Sequence, residues 1–418
     1  MRLNLIVFDD PVLSSNFKPL TYTRAAFELP LGVKSILDRL LDALKPSHVS
    51  LMVPEYLKDV VKERNPNLDV NPESVDAEAI MVNGLFDASR KDLLEKMVSK
   101  NKDIIILDQD VVAAAKVGEP KLDEITRAVR ECKSYSHLLT DTTITYETPN
   151  VLRARYPWHL IELIESALMD DLKEERFNAS KIDAANIQVK GDRSALRIAE
   201  GALLEGFTIF DTRRGPVIVD GGCEIQFSTR ISGPAYIGKH SLIKSFSTIE
   251  GSVIGEGCKI GGEVSNSIIL NYTNKAHLGY IGHSIIGEWV NIGAGTNNSD
   301  LKNTYGEVKV NIGENTINTK RVKVGCFVGD GVKTSIGTQI TTGKKIGPHS
   351  HIGGLIDSDI QPFTFCPKGL NAGIETLSLE EAIKVQRRMM NRRGKDPTEA
   401  YLKMIEKLFQ MCKKGWII

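Results

Sequence analysis

Two hydrophobic rhythms divide this chain. In residues 1–155, short apolar runs alternate with stretches whose apolar positions recur every three or four residues. LNLIVF, HVSLMVP, AEAIMVNG and DIIILD read as strands. Between them, residues 34–44 read as a helix with Ile36, Leu37, Leu40 and Leu41 on one face, and EYLKDVVKER and SRKDLLEKMVSK read as two more. This alternation predicts a parallel α/β domain. Residues 156–175 are amphipathic, with Leu160, Ile161, Ile164, Leu168 and Leu172 on one side, so a linker helix is expected within 156–184.

From about residue 185 the rhythm changes. Ile237-Gly238, Ile254-Gly255, Ile260-Gly261, Ile286-Gly287, Ile292-Gly293, Ile346-Gly347 and Ile352-Gly353 recur, many at six-residue spacing. That is the hexapeptide repeat of a parallel β-helix. Each branched residue points into a stacked core, and the small residue after it lets the chain turn a corner. Three sides close one triangular coil of about 18 residues. The expected fold is therefore a parallel α/β domain over 1–155, a left-handed parallel β-helix over 185–367, and a helical tail over 368–418. Prisms of this kind mostly serve acyl transfer. In the tail, Ser378 and Glu381 form a capping box, and Asp396-Pro397 starts a second helix with Glu399 at N3.

Composition narrows the function classes. Lys and Arg number 53 and so do Asp and Glu, so no surface dominated by nucleic acid or membrane is expected. No apolar run approaches the ~18 residues of a membrane span. The apolar start MRLNLIVFDD is too short for a secretory signal. Cys132, Cys223, Cys258, Cys326, Cys366 and Cys412 are scattered without a CxxC, which suggests a reducing, cytoplasmic compartment and no zinc site.

The segment PLTYTRAAFELPLGVKSILDRL, residues 19–40, resembles the opening of sugar-1-phosphate nucleotidyltransferases. Pro19-Leu20-Thr21 matches that family's P-L-T, Leu29-Pro30-Leu31 its L-P-V, and Lys34 its last lysine. The glycine-rich phosphate loop is replaced by Val12-Leu13-Ser14-Ser15-Asn16-Phe17, the P-K-P lysine by Ala26 and the metal-binding aspartate by Asn83. The resemblance implies a substrate-binding role for Arg24, Lys34 and Asn83, with Arg24 as substitute cation. It also implies Mg2+ on Asp9, Asp10 or Asp87, although Asp9 and Asp10 equally suit a simple strand end. Phe8-Asp9-Asp10, residues 19–24, Val82-Asn83-Gly84 and Tyr156-Pro157-Trp158 are similar to a divergent bacterial and archaeal branch of two-domain enzymes. That branch belongs with the bifunctional N-acetylglucosamine-1-phosphate uridyltransferase/glucosamine-1-phosphate acetyltransferase family.

The second half resembles the same family's acetyltransferase. NKAHLGYIG at 274–282 and EWVNIGAGT at 288–296 match K-A-G-H-L-x-Y-L-G and N-V-N-I-G-A-G-T. An amino sugar must lose a proton before it attacks a thioester, and His277 has the right intrinsic range to take it. Tyr280, or a backbone amide near Ala294 or Gly295, is expected to stabilise the oxyanion. Asn291 is expected to orient substrate, or else to belong to an asparagine ladder. The resemblance places Lys244, with Lys275 and Lys302, on the sugar phosphate, and acetyl-CoA near Ala294, Gly295, Asp330, Gly353 and Gly354. Partners are then a sugar phosphate and a nucleoside triphosphate (UTP or dTTP), in a homotrimer that completes the acyl site. Two other readings stay open: a non-catalytic nucleotide-sugar binder, and, less favoured, a γ-type carbonic anhydrase with intersubunit zinc.

Overall fold

The computed structural model describes residues 3–76, 78–98, 103–135, 144–174 and 187–415. Part of the expected linker, residues 175–184, lies outside them. The first domain is built on a seven-stranded sheet. Its strands are β1 (Asn4–Phe8), β2 (His48–Met52), β3 (Asp69–Val70), β4 (Ile80–Asn83), β5 (Ile104–Asp108), β6 (Val111–Lys116) and β7 (Ile144–Glu147). The order is β3-β2-β1-β4-β6-β5-β7. All pairs are parallel except those of β6, which runs against both β4 and β5. A wholly parallel sheet was the expectation. The alternating small residues of VVAAAK carried no periodic signal, because every position of β6 but the last is buried. Strand β1, flanked by β2 and β4, is apolar after Asn4 and buried at four of its five positions, as a strand covered on both faces must be.

The long amphipathic stretch forms two short helices, Pro157–Glu162 and Ile164–Asp171, interrupted at Leu163. The tail forms helices Leu379–Asn391 and Glu399–Lys413. Ser378 caps the first as expected. The second is capped by Thr398, whose hydroxyl accepts from the Tyr401 N–H, rather than by Asp396.

Residues 188–366 wind into stacked coils with three faces. On the second face the inward ladder runs Ile198, Val219, Ile237, Ile254, Ile269, Ile286, Val328 and Ile346, each at most 4% exposed. Fully burying each such residue contributes about 1.5–3 kcal/mol, so the ladder is the spine of the domain. Outward residues of this face are apolar as well. Ile218, Tyr236, Val253, Ile268, Ile285 and Phe327 share one core with the first domain and the C-terminal helices. The Trp158 and Phe327 rings meet at 6.3 Å.

Corners obey a local rule. At the turn from second to third face, Gly222 (φ 69°) lies under the ring of His240, and Gly257 (φ 63°) under that of Tyr272. A Cβ on either glycine would meet the ring at 2.4 or 2.8 Å. A large corner side chain thus folds back over a glycine one coil earlier. The prism is not continuous. After Asn298 the chain leaves it, forms a hairpin of Lys309–Ile312 and Asn315–Asn318, and rejoins the second face at Phe327.

Candidate functional site

The third face runs through Leu242–Ile243, Lys259–Ile260 and Asn274–Lys275 to Asn291 and on to Lys333–Thr334. Its inward ladder turns polar at two rungs, Lys275 and Thr334, and Lys275 takes an isoleucine's place and is 1% exposed. Its ammonium donates to the carbonyls of Gly261 (2.5 Å), His277 (3.0 Å) and Gly279 (2.8 Å). All three donors are spent. Lys275 therefore braces the following corner from inside and has nothing left for a sugar phosphate, contrary to the expectation. Burial pushes its amine down to about 8.

That corner, where the third face turns into the first, presents His277 to solvent. Lys244 stands on the same edge, two rungs earlier, and Ala294, Gly295, Gly353 and Gly354 stand on it in later coils. The Gly295 N–H is taken by the Leu278 carbonyl at 2.8 Å. Of the two expected amide donors, Ala294 remains. Tyr280 reaches along the first face over Gly282, where even a Cβ would meet its hydroxyl at 2.1 Å. Its hydroxyl donates to Asp300 Oδ2 at 2.9 Å. Burial first, then this bond, raises the hydroxyl well above its ordinary range, so the expected oxyanion role needs that bond to break. Asn291 Oδ1 accepts from Asn274 Nδ2 at 2.8 Å, which favours the ladder. Lys302 lies in the segment outside the prism, its ammonium on the Glu307 carbonyl at 2.6 Å.

Two residues were missed. His283 Nδ1 lies 2.6 Å from Asp300 Oδ2, the oxygen that also receives Tyr280. Burial works against the Asp300 charge, but His283 and Tyr280 together hold its carboxyl below the ordinary range. The signal was present: His283 and Asp300 are 17 residues apart, one coil, and so share a corner.

Asp330, expected at the acetyl-CoA site, sits elsewhere. It is 1% exposed and pairs with Arg24, 3% exposed, at 2.5 Å. Thr23 Oγ1 donates to the same carboxylate at 2.7 Å and the Glu288 N–H at 2.8 Å. Glu288 adds a second carboxylate 3.5 Å from the guanidinium. Arg24 and Asp330 thus tie the first domain to the prism, which corrects both expected ligand roles. Lys34 bridges Asp42 (2.6 Å) and Glu174 (2.7 Å) at the rim of a cavity of about 260 Å3 between the two domains.

Asp9, Asp10 and Asn83 lie together at the ends of the adjacent strands β1 and β4, but each is engaged by partners within its own domain. Asn83 is 1% exposed and spends its amide on the Val112 carbonyl and the Leu85 N–H, both at 3.0 Å. Asp9 accepts from Ala26 N–H at 3.0 Å and Ser14 Oγ at 3.1 Å, and burial pushes its carboxyl up to about 7. Asp10 caps residues 11–15 through Leu13 N–H at 2.7 Å and holds the Tyr135 hydroxyl. Asp87 caps the next turn at Ser89 and pairs with Arg153 at 3.1 Å. Among the described residues no group of three or more His, Cys, Asp or Glu side chains could hold a metal ion. Asp9, buried and with both carboxyl oxygens engaged by Ala26 and Ser14, is a poor Mg2+ ligand, whereas Asp87 keeps one carboxylate oxygen open.

Comparisons agree with the two-part architecture. Residues 5–176 match the sugar nucleotidyl transferase family. A bifunctional sugar-1-phosphate nucleotidylyltransferase/acetyltransferase from Sulfurisphaera tokodaii is 27% identical over 396 residues, 82% of this chain and 94% of that protein. The bifunctional protein GlmU of Methanocaldococcus jannaschii is 38% identical over 139 residues, 32% of each chain. Among solved structures, a Francisella novicida UDP-N-acetylglucosamine acyltransferase aligns over 55% of this chain and 85% of its own, with 16% identity and a TM-score of 0.33. The chain is similar to a bifunctional sugar-1-phosphate nucleotidylyltransferase/acetyltransferase over 82% of its length, and its residues 5–176 match the sugar nucleotidyl transferase family.

Proposed function

We propose that this protein makes a nucleotide sugar in two steps. The prism transfers acetyl from acetyl-CoA to an amino-sugar 1-phosphate, and the first domain transfers a nucleotidyl group from UTP or dTTP to the sugar 1-phosphate. The observation that carries the reading is one prism edge bearing Lys244, His277 and Ala294 in nearby coils, with the histidine open to solvent. The match to a two-activity relative over 82% of the chain supports it. In the prism, His277 takes a proton from the substrate ammonium, and the freed lone pair attacks the thioester carbonyl. The oxyanion of the tetrahedral intermediate meets the Ala294 N–H. The C–S bond then breaks, the CoA thiolate takes the proton held by His277, and the second proton of the attacking nitrogen passes to solvent as the amide forms.

The same edge carries exposed apolar side chains: Phe207 (60%), Phe246 (74%), Leu278 (83%) and Ile336 (80%). Phe227 bridges the first two, with ring centroids 5.4 and 5.9 Å away. A continuous apolar edge beside the candidate base fits burial in a homotrimer that closes the site. A cytoplasmic location goes with the reading; no helix among the described residues is long and apolar enough to cross a membrane.

The test is thiol release from acetyl-CoA with glucosamine 1-phosphate, on protein of checked mass. His277→Ala should lower the rate by about 10²–10⁴-fold. An unchanged rate would remove His277 as base, and a monomeric mass would remove the shared edge. For the first domain, the engaged carboxyls of Asp9 and Asp10 support a second reading, nucleotide-sugar binding without turnover. Pyrophosphate release from UTP or dTTP with a sugar 1-phosphate separates the two.

A further inference from the structure

Four cations on or against the third face have no counter-ion among the described residues. Lys259 begins its strand there, directly between Leu242 and Asn274 in the neighbouring coils. Lys244 ends the adjacent rung, toward the His277 edge. Arg392 and Arg393 come from the turn that follows helix Leu379–Asn391. Backbone bonds from Arg393, Gly394 and Lys395 to Met390 and Asn391 tighten that turn. It lies against the prism, because the Lys395 ammonium sits 4.9 Å from the centroid of the Tyr272 ring.

The cations feel one another. Arg393 first, then burial, then Arg392 and Lys244 push the Lys259 ammonium below its ordinary range. Lys244, Lys259 and Arg393 are each half-buried, yet none of the four makes an ion pair or side-chain hydrogen bond with a described residue. Glu256, three residues before Lys259, accepts from the Tyr272 hydroxyl at 2.8 Å. Like charges held together at the edge of a low-dielectric surface are unfavourable until an anion joins them. Two guanidinium forks beside two ammonium groups suit the several oxygens of a phosphate.

We propose that Lys244, Lys259, Arg392 and Arg393 form a phosphate-binding subsite, closed by the turn between the two C-terminal helices. The identity of the ligand rests on the acetyl-transfer reading. Lys244 lies two rungs from the His277 coil, about 10 Å along the prism. Long lysine and arginine side chains reaching inward from that distance can hold the phosphate of a sugar whose amine meets His277. The other phosphate source in that reaction is the nucleotide end of coenzyme A.

Calorimetric titration of the full chain tests this, with glucosamine 1-phosphate and adenosine 3′,5′-bisphosphate as separate probes and glucosamine as the uncharged-position control. The double variant Arg392→Ala/Arg393→Ala, and independently Lys259→Gln, should weaken one phosphate probe about tenfold or more. Lys384→Ala, on the same helix but paired with Glu381, should leave it unchanged. Weakening confined to glucosamine 1-phosphate assigns the sugar phosphate; weakening confined to the bisphosphate assigns coenzyme A. Equal affinities in all variants, or no binding of either probe by the native chain, would overturn the subsite. Because binding is read without turnover, an absence of thiol release would count against acetyl transfer and leave the titration to judge the subsite.

Discussion

Arg24 is the residue whose role changed most between sequence and structure, and a double-mutant cycle can weigh that change. As a substitute phosphate ligand, Arg24 would face substrate and contribute little to stability. Here its guanidinium is 3% exposed and 2.5 Å from a carboxylate that is 1% exposed. Arg24→Met leaves Asp330 buried with only its Thr23 and Glu288 N–H donors. Stranding a buried charge in this way costs about 3–5 kcal/mol. Asp330→Asn keeps an acceptor for the Glu288 N–H, and Arg24 keeps Glu288 at 3.5 Å, so it should cost less. Removing both charges relieves the stranded carboxylate, so the double variant should recover about 1–3 kcal/mol relative to the sum of the singles. Urea unfolding followed by tryptophan fluorescence reads this directly, since Trp158 lies at the junction of the two domains. Strictly additive effects would show that the pair is not coupled. A stable Arg24→Met protein with a raised KM for the nucleoside triphosphate would restore Arg24 to the substrate site.

Two further outcomes are expected. Gly257→Ala puts a Cβ 2.8 Å from the Tyr272 ring at φ 63°, whereas Gly313→Ala at φ 56° meets nothing within 4 Å. Both should lose about 1–2 kcal/mol to the left-handed backbone, and Gly257→Ala should lose more in thermal melts; equal losses would refute the stacked-corner rule. Lys275 has an amine at about 8 in the fold, below the 10.5 of an unperturbed lysine. Between these values the unfolded chain holds more protons, so stability should rise with pH across that window, by about 3 kcal/mol from this residue. Lys275→Met should flatten that part of the pH profile, and an unchanged profile would show that the ammonium is not confined.

What the sequence revealed follows from how a β-helix is wired. Each residue's partners in the stack lie about one coil away, so the six-residue rhythm exposed the prism, its inward ladder and the edge that carries His277. The same period held the His283–Asp300 contact, which reading by motif passed over because neither residue belongs to the family's pattern. Lys275 was misplaced for a different reason: lysine is read as surface, and only the ladder Ile243–Ile260–Lys275–Ile292 shows it pointing inward. Contacts between domains have no period. Arg24 and Asp330 are 306 residues apart, and each was read as a ligand from the family resemblance, which carries no information on their pairing. The turn bearing Arg392 and Arg393 is the converse. Its arginines carry no pattern in the sequence, and only the fold brings their charge to bear on Lys259. In this chain the coil period is therefore a sound guide to chemistry within the prism. Any charged residue near the domain junction needs its partner located in space before it is assigned to a substrate.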